Sequence, residues 1–139
     1  MTLNPDQARV VGATLRLLEK RLGDIEDVLD RPRHGALYRR RAPVFSAERR
    51  SRIDALVVEL HTAIAAAVQT FGLAAEDQDP IRTVIGTLSV SWESLGEINA
   101  ARLRGYGGTD PDLHLALDPV VEQLIGLLWA LDMAVRRDP

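Results

Sequence analysis

The chain has 139 residues, 46% of them apolar and 4% aromatic, with a formal net charge of −3 and no cysteine. That length supports one sizeable core, a single helical-bundle domain over residues 1–139, and too little for two ordinary ones. The missing cysteines exclude disulfides, thiolate metal sites and cysteine nucleophiles, and the mild negative charge disfavours a dedicated nucleic-acid binder.

The apolar residues are mostly Leu, Ala, Val and Ile. Leu and Ala are good helix formers, and the β-branched residues never cluster into an alternating strand run. The fold class read from this is all-α. The N-terminus lacks the basic-then-apolar layout of a signal peptide. No uncharged apolar run reaches the roughly 20 residues that span a bilayer, with residues 60–75 coming closest. The expectation is a cytoplasmic protein with no membrane partner.

Helix one is predicted to open at Asn4-Pro5-Asp6-Gln7, where Asn4 is an N-cap, Pro5 fits the first helical position and Gln7 completes a capping box. Val11, Leu15, Leu18, Leu22, Ile25 and Leu29 then fall in steps of four and three, a heptad seam. Arg31-Pro32 ends the helix. Residues 31–43 hold two prolines and a glycine and are expected to form a long, irregular connection.

Ser46 caps helix two, whose seam is Ile53, Val57, Leu60, Ile64, Ala67 and Phe71, with Gly72 as its stop. Helix three opens at Asp79-Pro80 and carries the arc Ile81, Val84, Ile85, Leu88, Trp92, Leu95, Ile98 and Leu103, with Asn99 in its middle. The glycine-rich segment 104–108 closes it. Residues 111–117 are read as a short helical turn and 119–137 as helix four, the alternative being one longer helix kinked at Pro119. Helix four is the most apolar stretch. Its Leu124, Leu127, Leu128 and Leu131 are expected to fill the core, and Trp129 and Met133 to offer a separate interface. The architecture expected is an antiparallel four-helix bundle with a long Arg-rich connection between helices one and two, and a homo-oligomer, dimer favoured.

No catalytic, metal or cofactor signature is present. Glu59 and His61 face different ways, Glu93 and Glu97 lie opposite the apolar arc, and no Glu-x-x-His pair occurs. Two groups of residues are candidates for function. The first is a basic window over residues 31–52, with eight arginines and one acid, Glu48, whereas outside it acids outnumber bases nineteen to nine. Arg31, Arg33, His34, Tyr38, Arg39, Arg40, Arg41, Arg49 and Arg50 could pair with the chain's own acids, with an acidic protein partner or, less favoured, with nucleic acid. The second is a polar core cluster of His61, Asn99, Arg102 and Asp132. It is read first as a network that fixes helix register and, as an alternative, as a small-molecule pocket or acid–base site. The leading function is non-enzymatic protein–protein contact. A phosphate- or nucleic-acid-binding module is the first alternative, and a small-molecule-binding bundle or enzyme the second.

Overall fold

The computed structural model describes residues 2–108 and 110–137. It is all-α apart from one pair of two-residue strands among those residues. The chain divides into two compact units, Met1–Glu76 and Asp77–Pro139.

The first unit is a helical hairpin. Helix α1 (Pro5–Asp30) opens with the capping box: Asn4 Oδ1 accepts from the Gln7 amide at 2.8 Å, and Gln7 Oε1 accepts from the Asn4 amide at 3.0 Å. Helix α2 (Ala47–Phe71) is capped by Ser46 and stopped by Gly72, whose φ of 63° is left-handed. The two helices run in opposite directions. Arg16 near the start of α1 bonds the Ala74 carbonyl at 3.3 Å and Glu76 at 3.1 Å, His61 meets Glu26 at 2.6 Å, and Arg50 pairs with Asp30 at the far end. Leu22 and Ile64 are its buried apolar side chains.

A two-helix pair can cover only part of each apolar arc, and here Leu18, Ile25 and Leu60, expected in the seam, stay exposed. At 100° per residue, Leu18 and Ile25 on α1 and Leu56 and Leu60 on α2 turn to the same flank of this pair. The hairpin therefore has one open apolar flank.

The second unit holds α3 (Pro80–Gly96), α4 (Ala100–Leu103), a 3-10 turn at Arg104–Tyr106, and α5 (Leu113–Arg136). Asp79 caps α3 as expected, its carboxylate accepting from the Ile81 amide at 3.0 Å. The helix expected to continue to Leu103 stops at Gly96. Five hydroxyls along it, from Thr83, Thr87, Ser89, Ser91 and Ser94, bond carbonyls four residues back. Such back-bonding weakens and bends a helix. Asn99 then takes over as a cap: its Oδ1 accepts from the Arg102 amide at 2.9 Å and starts α4.

Helix α5 follows the alternative reading and passes through Pro119 as one helix. Asp118, expected to cap a helix beginning at Pro119, instead reaches sideways to accept from the Ala100 amide at 2.9 Å. Asp110 forms the turn before α5, accepting from the Asp112 amide at 2.8 Å. Trp92 Nε1 donates to the Ile125 carbonyl at 3.4 Å; with Ala100, further along, meeting Asp118, further back, the two lines of chain run in opposite directions. Leu88 and Val121 are buried between them, with Ile125 and Leu128 half-buried.

The expected core residues Leu124, Leu127 and Leu131 are a correction. With Val120 they form an exposed stripe in steps of four, three and four, about 90° around α5 from the packed line Val121, Ile125, Leu128 and Asp132. One neighbouring helix covers one side of α5 and leaves this side open.

Candidate functional site

The basic window is not an irregular loop throughout. Strands β1 (Arg33–His34) and β2 (Arg39–Arg40) pair antiparallel, Arg33 opposite Arg40 and His34 opposite Arg39. The turn between them is closed by the Gly35 amide donating to the Tyr38 carbonyl at 3.1 Å. A Cβ at residue 35 would lie 2.6 Å from that carbonyl oxygen, so the turn requires glycine there. Like charges facing each other across a ribbon are unfavourable, and the structure relieves this through Asp27. Arg40 Nη1 donates to the Asp27 carboxylate at 3.0 Å, to the Asp27 carbonyl at 3.3 Å and to the Arg31 carbonyl at 3.4 Å. Arg31 adds a second guanidinium, 3.5 Å from Asp27. The ribbon is thereby clamped to the last turns of α1.

The hydrogen bond from Arg40 holds the Asp27 carboxyl below its ordinary value of 3.8, and the same pairing raises Arg40. A carboxylate with a lowered folded pKa contributes stability above its unfolded value and loses it as pH falls through the folded value. The clamp is thus expected to hold at neutral pH and to open only below pH 3.8. Amide signals of residues 33–40 followed by NMR should shift in that acid range. Asp27→Asn should show the released ribbon already at neutral pH.

The arginines fall into two sets. Arg31, Arg40 and Arg50 are paired within the chain. Arg50 meets Asp30, Asp54 at 3.0 Å and the Leu29 carbonyl at 3.3 Å, and its pairing with Asp30 raises its pKa. Arg49 stacks its guanidinium 6.0 Å from the Phe45 ring centroid. Arg33, Arg39, Arg41 and Arg52 make no ion pair among the described residues. At the ribbon tip between these cations, Leu37 is 101% exposed, and Tyr38 and nearby Val44 also stand in solvent.

On the flank of the first hairpin opposite its open apolar one, Glu26, Leu29, Asp30, Arg50, Asp54, Val57 and Val58 line an open cleft of about 250 Å³. Its surface is mainly apolar, and three carboxylates and one guanidinium lie around it. Nothing in the sequence periodicity marks this cleft, because it needs Asp30 and Asp54 brought side by side by the hairpin.

Of the four polar core candidates, the three in the second unit are not brought together. His61 belongs to the first unit, where Glu26 is its partner at 2.6 Å. Asn99 caps α4, and Arg102 is exposed, with Glu97 3.9 Å away. Asp132 lies fourteen residues beyond Asp118 along α5, about 21 Å at the helical rise, and so sits far from the Asn99–Asp118 end. It is 6% exposed and accepts from Arg136 Nε at 2.8 Å, while its second oxygen is buried without a partner among the described residues. Of the interface candidates, Trp129 is exposed and Met133 half-buried, both on the side of α5 away from the Val120–Leu131 stripe. Asp118, which ties α5 to α4, was hidden in the sequence by its resemblance to an Asp-Pro cap.

Among the described residues, no three His, Asp or Glu side chains gather closely enough to hold a metal ion. Helices α2 and α5 are long and apolar enough to pass a length-and-composition test for crossing a membrane. Comparison with protein-family models, curated proteins and solved structures finds no match.

Proposed function

We propose that this chain works through protein–protein contact, as a non-enzymatic homodimer. In it the Val120–Leu124–Leu127–Leu131 stripe of one copy lies against the same stripe of another. Two α3/α5 hairpins joined in this way make an antiparallel four-helix bundle, the arrangement in which each helix gains two neighbours. The observation that carries the reading is the stripe itself. Four branched side chains at heptad spacing, solvated in the single chain, match what a second helix pair covers. Trp129, 59% exposed, flanks the packed line on the other side and is the second interface candidate.

The proposed location is the cytoplasm. A cysteine-free sequence fits a reducing compartment. We read α2 and α5 as paired helices, because charged residues interrupt their middles, Glu59 in one and Glu122 and Asp132 in the other.

Sedimentation equilibrium tests the reading. The wild type should sediment as a dimer at micromolar concentrations. Leu127→Glu, which places a charge at a position exposed in the single chain, should sediment as a monomer with unchanged helical circular dichroism. Trp129→Ala should leave the dimer intact. A wild-type monomer throughout that range would sink the proposal.

A further inference from the structure

The ribbon tip and the cleft of the first hairpin are complementary in chemistry. The tip presents a fully solvated leucine beside Arg39, which makes no ion pair among the described residues, while Arg33 and Arg41 stand at the ribbon base. The cleft presents apolar walls from Leu29, Val57 and Val58, with Asp30 and Asp54 sharing the single guanidinium of Arg50 and Glu26 beside His61. A chain does not fill its own cleft with its own tip, since Leu37 is 101% exposed while Arg40 clamps the ribbon base to Asp27.

We propose that a second copy of this chain seats its ribbon tip in the cleft. Leu37 enters against Leu29, Val57 and Val58, and Arg39 beside it meets the carboxylates around the cleft. Tip and cleft belong to the same hairpin, so each copy can both give a tip and receive one. The contact is weak and transient beside the α5 stripe. It does not hold a dimer in micromolar sedimentation and is read by trapping it covalently. The pairing follows the preference already displayed inside the hairpin, where Arg31, Arg40 and Arg50 each take an aspartate. Arginine suits such sites because its planar fork matches a carboxylate. Phosphate-bearing partners fit less well: they offer nothing to Leu37 or Val44, and the nineteen acids outside the window repel a polyanion.

Because the chain has no cysteine, engineered thiols are unambiguous. Leu37→Cys on a tagged copy is mixed with Val58→Cys on an untagged copy under mild oxidation. A mixed disulfide dimer should form at least about tenfold faster than from Leu37→Cys mixed with Leu115→Cys, since docking raises the effective concentration of the two thiols. Leu115 is a solvated leucine of the second unit and serves as the control. High salt, and Arg39→Glu in the tagged copy, should each bring the rate down to the control. All of these positions are exposed, and circular dichroism checks that each variant folds. Equal rates for the two mixtures would overturn the proposal, as would a fast rate indifferent to salt and to the arginine change. The experiment is repeated in a Leu127→Glu background. Cross-linking that persists there belongs to the ribbon and is independent of the α5 stripe. Cross-linking that vanishes there overturns the ribbon as an interface in its own right.

Discussion

Leu88→Ala is expected to cost the second unit about 2–5 kcal/mol, the usual range for a buried leucine cut to alanine. Leu88 is 5% exposed between α3 and α5, in a unit whose only other buried apolar residues among those described are Ala100 and Val121. Few neighbours can compensate. The helix that carries Leu88 is already weakened by hydroxyls bonding back to its own carbonyls. Both tryptophans of the chain, Trp92 and Trp129, lie in this unit. Their fluorescence in a urea titration therefore reports on it directly. Val90→Ala, two residues away but 64% exposed, should move the midpoint by no more than about 0.5 kcal/mol. A Leu88→Ala midpoint as close to wild type as that of Val90→Ala would mean that the α3/α5 seam does not hold this unit together.

The second large effect concerns Asp132, and it has opposite signs for its two partners. A carboxylate here is 6% exposed, with one oxygen bonded to Arg136 and the other buried and unpaired among the described residues. An unmade bond on a buried acceptor costs about 1–3 kcal/mol. Replacing a buried ionic group by an apolar side chain of similar volume often stabilises by a comparable amount. Asp132→Leu is expected to raise stability by about 1–3 kcal/mol in the same urea titration. Arg136→Gln should lower it by about 1–2 kcal/mol: it strands the charge, and the loss is discounted because the Arg136 side chain is 53% exposed and screened. If Asp132→Leu destabilises, the carboxylate has a role in the seam beyond its bond to Arg136.

The sequence was most informative where local chemistry decides the structure. Asn4, Ser46, Gly72 and Asp79 act at the helix ends read for them, because a cap depends on residues within one turn. It was least informative where two local rules compete. Asn99 fits the apolar arc of helix three by periodicity, but Gly96 and the back-bonded hydroxyls let the helix stop, and capping then claims Asn99. Asp118-Pro119 has the residues of a cap, yet the helix runs through it and Asp118 serves α4 instead. The basic window shows a different limit. Its composition was plain, but a ribbon of two residues per strand has no period to detect. Which arginines stay unpaired depends on Asp27, Asp30 and Asp54 arriving from elsewhere in the hairpin. The α5 stripe shows a third. Periodicity identifies an apolar side of a helix, but not how many neighbours that helix has.

The division into two local hairpins bears on how the chain leaves the ribosome. Pairs of helices that follow one another in the chain have low contact order and close quickly, so the first unit can fold once residue 76 is clear. The helices of the second unit follow at roughly 5–20 residues per second, so the first unit stands folded for some seconds before α5 is complete. Throughout that interval the open flank of Leu18, Ile25, Leu56 and Leu60 is presented by a folded hairpin still tethered to its own synthesis. Any partner for that flank that is already in solution, including a finished copy of the chain, can reach it before α3 and α5 exist.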